Sequence, residues 1–386
     1  MGQPINSYIE FTGEYSAFEI FLFGLFAGIY AIRFFYSFFI YARLAFRSGL
    51  RMKKYKLPLS IIMAVRNEEA NIREYLPGII TADYDDFEVI VVDDFSQDQS
   101  YTLLGLLREK YPDFRLSSLN QEMRHSTKQA LNIACKAARK DWVFVASPSM
   151  SEIHSRWLHS FSEKIHNGKN IVVGYSNVLS QKRLINLLYR VELFLQQFQS
   201  FAFIKAGPAF VLHEDNLMFL KQKYFDIGGF MHDMDEEYGN LELIINKFIS
   251  RKKASINLSH EGVVKKDCPV TLKKFKELLI KEVRLKRKLR PFRRIVIFID
   301  ELASLLILPV TIAVLVFFKE ILIFVAVIVV IKVVLHILIL FYVLKRLKEE
   351  KIFIPSLLYE LLMPWVKLFV RWGYFRSLQK DRWNNN

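Results

Sequence analysis

Two short stretches gather the carboxylates that could do chemistry. Asp93-Asp94-Phe95-Ser96-Gln97-Asp98 follows an apolar run, and Met231 to Leu243 (MHDMDEEYGNLEL) crowds Asp233, Asp235, Glu236, Glu237 and Glu242 together. A carboxylate fixed at a strand end accepts strongly from ligand N–H groups, and one beside a hydroxyl can take its proton. Both stretches also have a plainer reading, since Asp and Ser cap turns and helix starts and an acid-rich loop is often only solvated. Arg66-Asn67-Glu68 closes a second apolar run and adds a cation. His125, His154, His159 and His213 show no ligand spacing, and Cys135 and Cys268 lie far apart without a CxxC. A histidine- or cysteine-built metal site and a disulfide framework are thereby disfavoured, and a reducing compartment fits. Neither GxGxxG nor a P-loop pattern occurs, which removes the dinucleotide and P-loop classes.

These residues need a scaffold. Leu57 to Val65 (LPLSIIMAV) and Phe87 to Val92 (FEVIVV) are β-branched runs, with helical spacing in Asn67 to Ile80 and Ser100 to Lys110. Thr127 to Arg139 reads as a helix, and Trp142 to Ala146 and Asn170 to Gly174 read as strands. Strand and helix in alternation predict right-handed crossovers and a mostly parallel α/β sheet. Ligands in such sheets sit at the carboxyl ends of the strands, where Arg66–Glu68 and Asp93–Asp98 fall.

With those pieces in place, the chain resembles membrane-anchored family-2 glycosyltransferases, the GT-A-fold group with cellulose- and hyaluronan-synthase-like enzymes. The resemblance is carried by SIIMAVRNEE (Ser60 to Glu69), VIVVDDFSQD (Val89 to Asp98), KQALN (Lys128 to Asn132), RWL (Arg156 to Leu158) and IGGF (Ile227 to Phe230). It implies a nucleotide-sugar (UDP- or GDP-linked) held by Arg66, Asn67, Glu68, Asp93, Asp94, Lys128 and Arg284. Asp94 would accept from the base, and the Arg66 to Glu68 turn would line the ribose.

The resemblance also implies a DxD pair for Mg²⁺ or Mn²⁺ on the diphosphate, a catalytic Asp, and an interfacial QxxRW motif. The third strand instead runs into Ser147-Pro148-Ser149, whose hydroxyls are poor ligands for a hard divalent cation. No metal is expected, unless activity persists in an unrecognised way. Asn240 occupies the catalytic-base position, which leaves Asp235, Glu236, Glu237 and Glu242 as candidates in other registers. Lys281-Glu282-Val283-Arg284-Leu285 supplies an arginine but neither Gln nor Trp. The leading expectation is a catalytically degenerate pseudo-glycosyltransferase, a nucleotide-sugar- or glycan-binding or structural subunit of a cell-envelope complex. The alternative is an active inverting enzyme with a lipid-linked or polysaccharide acceptor, in which Lys281, Arg284 and Lys286 replace the metal.

Composition gives the setting. The 386 residues include 52% hydrophobic residues and 34 Phe, yet carry a net charge of +15. The two are segregated. Apolar runs occupy Ser16 to Ala42, Ile295 to Phe318 and Ile321 to Leu344, each near the roughly 20 residues of a bilayer span. Ile352 to Tyr374, broken by Pro355 and Pro364, reads as either a fourth span or a re-entrant hairpin. Six basic residues and no acidic ones fill Arg43 to Lys56, and eleven basic against two acidic fill Lys273 to Arg294. Basic residues beside spans suit anionic lipid headgroups, so nucleic acid is not the expected partner. The expected plan is an anchor and basic linker (1–56), a cytoplasmic GT-A-like α/β domain (57–270), a basic interfacial helix (271–294) and a C-terminal membrane region (295–386). Its setting is a bacterial-type inner membrane. Membrane-protein partners or homo-oligomers are compatible with this plan.

Overall fold

The structure is a computed structural model that describes residues 16–46, 57–122, 126–166, 168–318, 321–349 and 351–384. The residues before Ser16, most of the first basic segment and Lys319-Glu320 lie outside the described residues.

The main sheet is built on β1 (Leu59–Val65) and β2 (Phe87–Asp93), paired in parallel so that Val65 lies opposite Asp93. Leu59, Ile61, Met63 and Val65 pack on one face and Ile62 on the other, so both faces are covered and the strand is apolar almost throughout. Eight further strands follow in chain order: β3 (Phe114–Ser118), β4 (Trp142–Val145), β5 (Met150–Glu152), β6 (Ile171–Gly174), β7 (Ser176–Val178), β8 (Leu217–Leu220), β9 (Ala254–Asn257) and β10 (Val264–Lys266). The seven-stranded order is β3-β2-β1-β4-β8-β6-β9, in which β8 runs antiparallel to both its neighbours. β5, β10 and β7 form a small second sheet. This is a mixed α/β, mostly parallel, GT-A-like fold. The strands read from the sequence are present; β3, β8, β9 and the small sheet, each three to five residues long, complete it.

Helix α1 (Ala17–Ala45) passes through a π-helical turn at Ser37–Tyr41. The domain helices that matter below are α2 (Ser100–Lys110), α3 (Ser126–Ala137), α4 (Leu184–Ala206), α5 (Leu241–Phe248) and α6 (Leu272–Lys288). They are followed by α7 (Pro291–Phe317), α8 (Leu322–Leu347) and α9 (Phe353–Asn384). Four helices, α1, α7, α8 and the Phe353–Tyr374 part of α9, are long and apolar enough to cross a membrane. The last stretch is one continuous helix rather than a hairpin. Pro355 falls in its first turn, where no intrahelical N–H is lost, and Pro364 is accommodated inside it.

Helix α4 joins the sheet to these apolar helices. Val191, Phe194, Phe198 and Phe201 belong to the same buried cluster as Ile62, Val143 and Val173 of the sheet and Leu340 and Val343 of α8. Most charges inside the apolar runs find partners within the protein. Arg33 of α1 pairs with Asp300 of α7 at 2.7 Å, and Tyr41 donates to the same carboxylate at 2.6 Å. Glu301 meets Lys286 at 2.8 Å.

Candidate functional site

The parallel pairing of β1 and β2 brings their two carboxyl-end turns together. Asn67 and Phe95 adopt left-handed φ of 53° and 56°, which reverses each turn sharply. Asn67 N donates to Ser96 Oγ at 3.0 Å, Gln97 N to Asn67 Oδ1 at 2.8 Å, and Glu68 N to Ser100 Oγ at 2.9 Å. Asp93 and Asp94 lie inside this double turn, 3% and 1% exposed. Asp93 accepts from Ser96 N at 3.1 Å, as a capped turn requires, and Asp94 accepts from Thr127 Oγ1 at 3.0 Å. Each nevertheless keeps its Oδ1 buried with no hydrogen-bond partner among the described residues. A buried polar atom left unpaired costs about 1–3 kcal/mol, more when charged. Two such atoms on consecutive residues at the end of β2 are therefore acceptors suited to a donor brought from outside. Arg66 is exposed, pairs with Glu122, and also feels Asp94.

At the end of β4 the chemistry changes. Ser147 and Ser149 hydrogen-bond to each other at 2.8 Å through their hydroxyls, and Ser149 is buried. Beside them lie two acids not singled out in the sequence. Because β8 is antiparallel, its first residue Leu217 sits opposite Val145, the last of β4. Glu214 and Asp215 are thus delivered to the carboxyl edge of the parallel strands. Glu214 accepts from Asn240 Nδ2 at 2.8 Å and from Leu241 N at 2.9 Å, and so caps α5. Burial, reinforced by the nearby Glu242 carboxylate, pushes the Glu214 carboxyl up to about 7. Burial, with Lys281 and Lys266 nearby, pulls His213 down to about 3, and its Nε2 lies 3.0 Å from Gln196 Oε1. Asp215 pairs with Lys266.

The acid-rich segment is held by cations. Asp233 pairs with Lys247 at 2.5 Å, Glu237 with Arg284 at 3.1 Å, and Glu236 with Lys288. Glu242 is fully buried, pairs with Lys281 of α6, and accepts from Asn240 N at 2.8 Å. Asp235 is exposed. Lys128 is 2% exposed, and its ammonium donates to the carbonyls of Asp233 (2.8 Å), Met234 (3.3 Å) and Glu236. Burial draws its pKa below the usual lysine value. Arg284 lies 4.4 Å from the ring centre of Tyr238 and 4.7 Å from that of Tyr374, stacked on both.

Residues 60–224 match the family described as glycosyl transferase family 2. The chain carries a family 2 glycosyltransferase domain. One solved structure agrees on the fold. The mannosyltransferase PcManGT of Pyrobaculum calidifontis, in complex with GDP-Man and Mn²⁺, superposes with a TM-score of 0.54 at 17% identity, covering 89% of this chain and 99% of its own. TarS of S. aureus gives a TM-score of 0.41 at 17% identity over 59% of this chain and 39% of its own. Mannosyl-3-phosphoglycerate synthase of Rubrobacter xylanophilus gives 0.40 at 15% over 62% and 76%. No curated protein matches the chain.

The residues grouped in the sequence as nucleotide-binding separate in space. Arg66, Asn67, Glu68, Asp93 and Asp94 share the strand-end turns. Lys128 and Arg284 direct their charged ends into the acid segment instead, one into its carbonyls and one between two tyrosines. Lys281 and Lys286, candidates to replace a metal, are each bound to buried carboxylates. The DxD positions do not fit a divalent cation, because two neutral hydroxyls already satisfy each other there. Among the described residues no group of three His, Cys, Asp or Glu side chains is placed to hold a metal.

Proposed function

We propose that this protein is a membrane-anchored family 2 glycosyltransferase-like subunit that binds a nucleotide-sugar or glycan without transferring it. Residues 57–270 form the binding domain, facing the cytoplasm. Residues 1–56 and 295–386 anchor it, and 271–294 lie along the membrane surface. Its setting is a cell-envelope complex, with a membrane-protein partner or a second copy of the chain. One observation carries the reading: every candidate base from Asp233 to Glu242 except the exposed Asp235 is held in an ion pair by a lysine or arginine. A carboxylate engaged in this way is a weak proton acceptor. The unpartnered oxygens of Asp93 and Asp94 support a retained nucleotide end, where a base N–H would supply the missing donor.

A second reading has its own support. Glu214, with a pKa near neutrality, has the protonation behaviour of a general base, and an active inverting transferase would use it. The experiment that separates the two is a thermal-shift screen of UDP, GDP and their sugar conjugates on the full-length protein in detergent, with and without Mn²⁺, paired with a transfer assay. A nucleotide that raises the melting temperature without Mn²⁺, and no transfer, is expected. Transfer abolished by Glu214→Gln would establish the enzyme instead.

A further inference from the structure

The apolar helices enclose a second site, well away from the strand-end turns. Between α1, α7 and α9, with α4 and α6 beneath, lies a cavity of about 380 Å³. Its wall is apolar and open sideways. Phe298, Leu302 and Leu368 line it and are also 55%, 39% and 45% exposed on the outer faces of α7 and α9. Its floor is charged.

The charges on that floor compensate one another. Arg33 is bound to Asp300 at 2.7 Å, and Lys286 to Glu282 at 2.5 Å and to Glu301 at 2.8 Å. Lys367 reaches Glu192 at 2.6 Å and Glu282 at 2.9 Å, Arg371 reaches Glu301, and His336 meets Glu360. With Lys332, which interacts electrostatically with Asp300 and Glu360, five permanent cations thus face five carboxylates, with one histidine between. Each ion pair has hydrogen-bonding capacity left over, and the Nε of Arg33 is buried with no partner among the described residues.

This balance selects the occupant. A purely apolar chain would strip water from the ion pairs and return nothing, which is costly. A phosphomonoester would bring excess negative charge to cations that already hold carboxylates. A headgroup carrying one charge of each sign meets both halves of the floor, its phosphodiester toward Arg33 and its ammonium toward the carboxylates. A primary ammonium donates up to three hydrogen bonds, which a trimethylated one cannot do. The sideways opening, walled by residues that continue onto the outer faces of α7 and α9, favours a lipid over a free glycan, because acyl chains can run along those faces.

We propose that this cavity binds the headgroup of a zwitterionic phospholipid bearing a primary amine, phosphatidylethanolamine in chemical type. The site rests on the reading of these helices as membrane spans. The test uses the full-length protein in a neutral detergent, with native mass spectrometry and thermal unfolding as readouts. Phosphatidylethanolamine, phosphatidylglycerol, dodecyl phosphate and a cello-oligosaccharide serve as probes. Phosphatidylethanolamine is expected to be retained one per chain and to raise the melting temperature most. Glu360→Gln leaves the floor one positive charge in excess and should move the preference about tenfold toward phosphatidylglycerol, a change of ~1.4 kcal/mol. Ser304→Phe fills the cavity and should lose lipid retention while still unfolding cooperatively. Equal retention of the two phospholipids, preference for dodecyl phosphate or the oligosaccharide, or undiminished retention by a folded Ser304→Phe protein would each overturn the proposal. Release of the chain from membranes by alkaline carbonate would overturn the span reading and this site with it, whereas firm membrane retention with no headgroup preference would overturn the site alone.

Discussion

At the end of β2, Asp93 and Asp94 each keep a buried oxygen without a donor, whereas in the acid-rich segment Asp233, Glu236, Glu237 and Glu242 are each met by a cation. The two regions hold similar residue types on one scaffold, yet one is left incomplete and the other is closed upon itself. An incomplete hydrogen-bond set is a cost the folded chain bears alone and recovers when a ligand binds. A closed set repays its own desolvation and has nothing left for chemistry.

Removing a cation from the closed side should have the largest effect. Lys281→Met leaves Glu242 buried and unpaired, and a loss of about 3–5 kcal/mol of stability is expected in denaturant unfolding. Adding Glu242→Gln to that variant should recover most of the loss, since the uncompensated charge then disappears. If Lys281→Met is neutral, the ion pair does not close that side.

A smaller effect, on binding, is expected from the open side. Asp94→Asn should weaken nucleotide binding by about 10–100-fold in calorimetric titration, by exchanging a charged acceptor for a neutral one. Its stability should stay within about 1 kcal/mol of the parent, because the oxygen it changes has no internal donor to lose. A large loss of stability with intact binding would reverse the contrast.

The smallest effect is a pH slope. A carboxyl raised from 4.5 to about 7 on folding binds its proton more tightly in the folded state, so its contribution to stability falls as pH rises through that window. His213, lowered from 6.5 to about 3, acts oppositely: the unfolded chain binds the proton, and stability rises with pH between those values. The two slopes offset each other between about pH 4.5 and 6.5. Glu214→Gln should uncover the histidine slope, with stability rising by at most about 1.4 kcal/mol per pH unit across that range. An unchanged profile would mean that Glu214 is not perturbed by its surroundings.

The parts legible in the sequence are those set by local pattern. β1, β2, β4 and β6 are runs of β-branched and apolar residues long enough to be strands buried on both faces. Helices α3, α4 and α6 show their spacing, and the apolar runs announce three membrane-length helices while leaving the fourth stretch open between a span and a hairpin. The turn residues 66–68 and 93–98 fall where strands end. The rest depends on where the chain returns. Glu214 and Asp215 reach the site only because β8 runs backward through the sheet, and a four-residue strand does not reveal its direction. Lys128 is grouped by sequence with the residues expected to hold a nucleotide-sugar, but a segment about a hundred residues on supplies three carbonyls to its ammonium.

The sequence by itself determined the α/β alternation, the strand-end turns with their aspartates, the serines in place of a DxD pair, and the segregation of apolar from basic residues. These follow from side-chain periodicity and residue chemistry, which are local. Tertiary structure alone decided which charges are spent. Whether a carboxylate is an acceptor in waiting or half of a buried ion pair depends on groups brought near it from distant parts of the chain and on the water excluded between them.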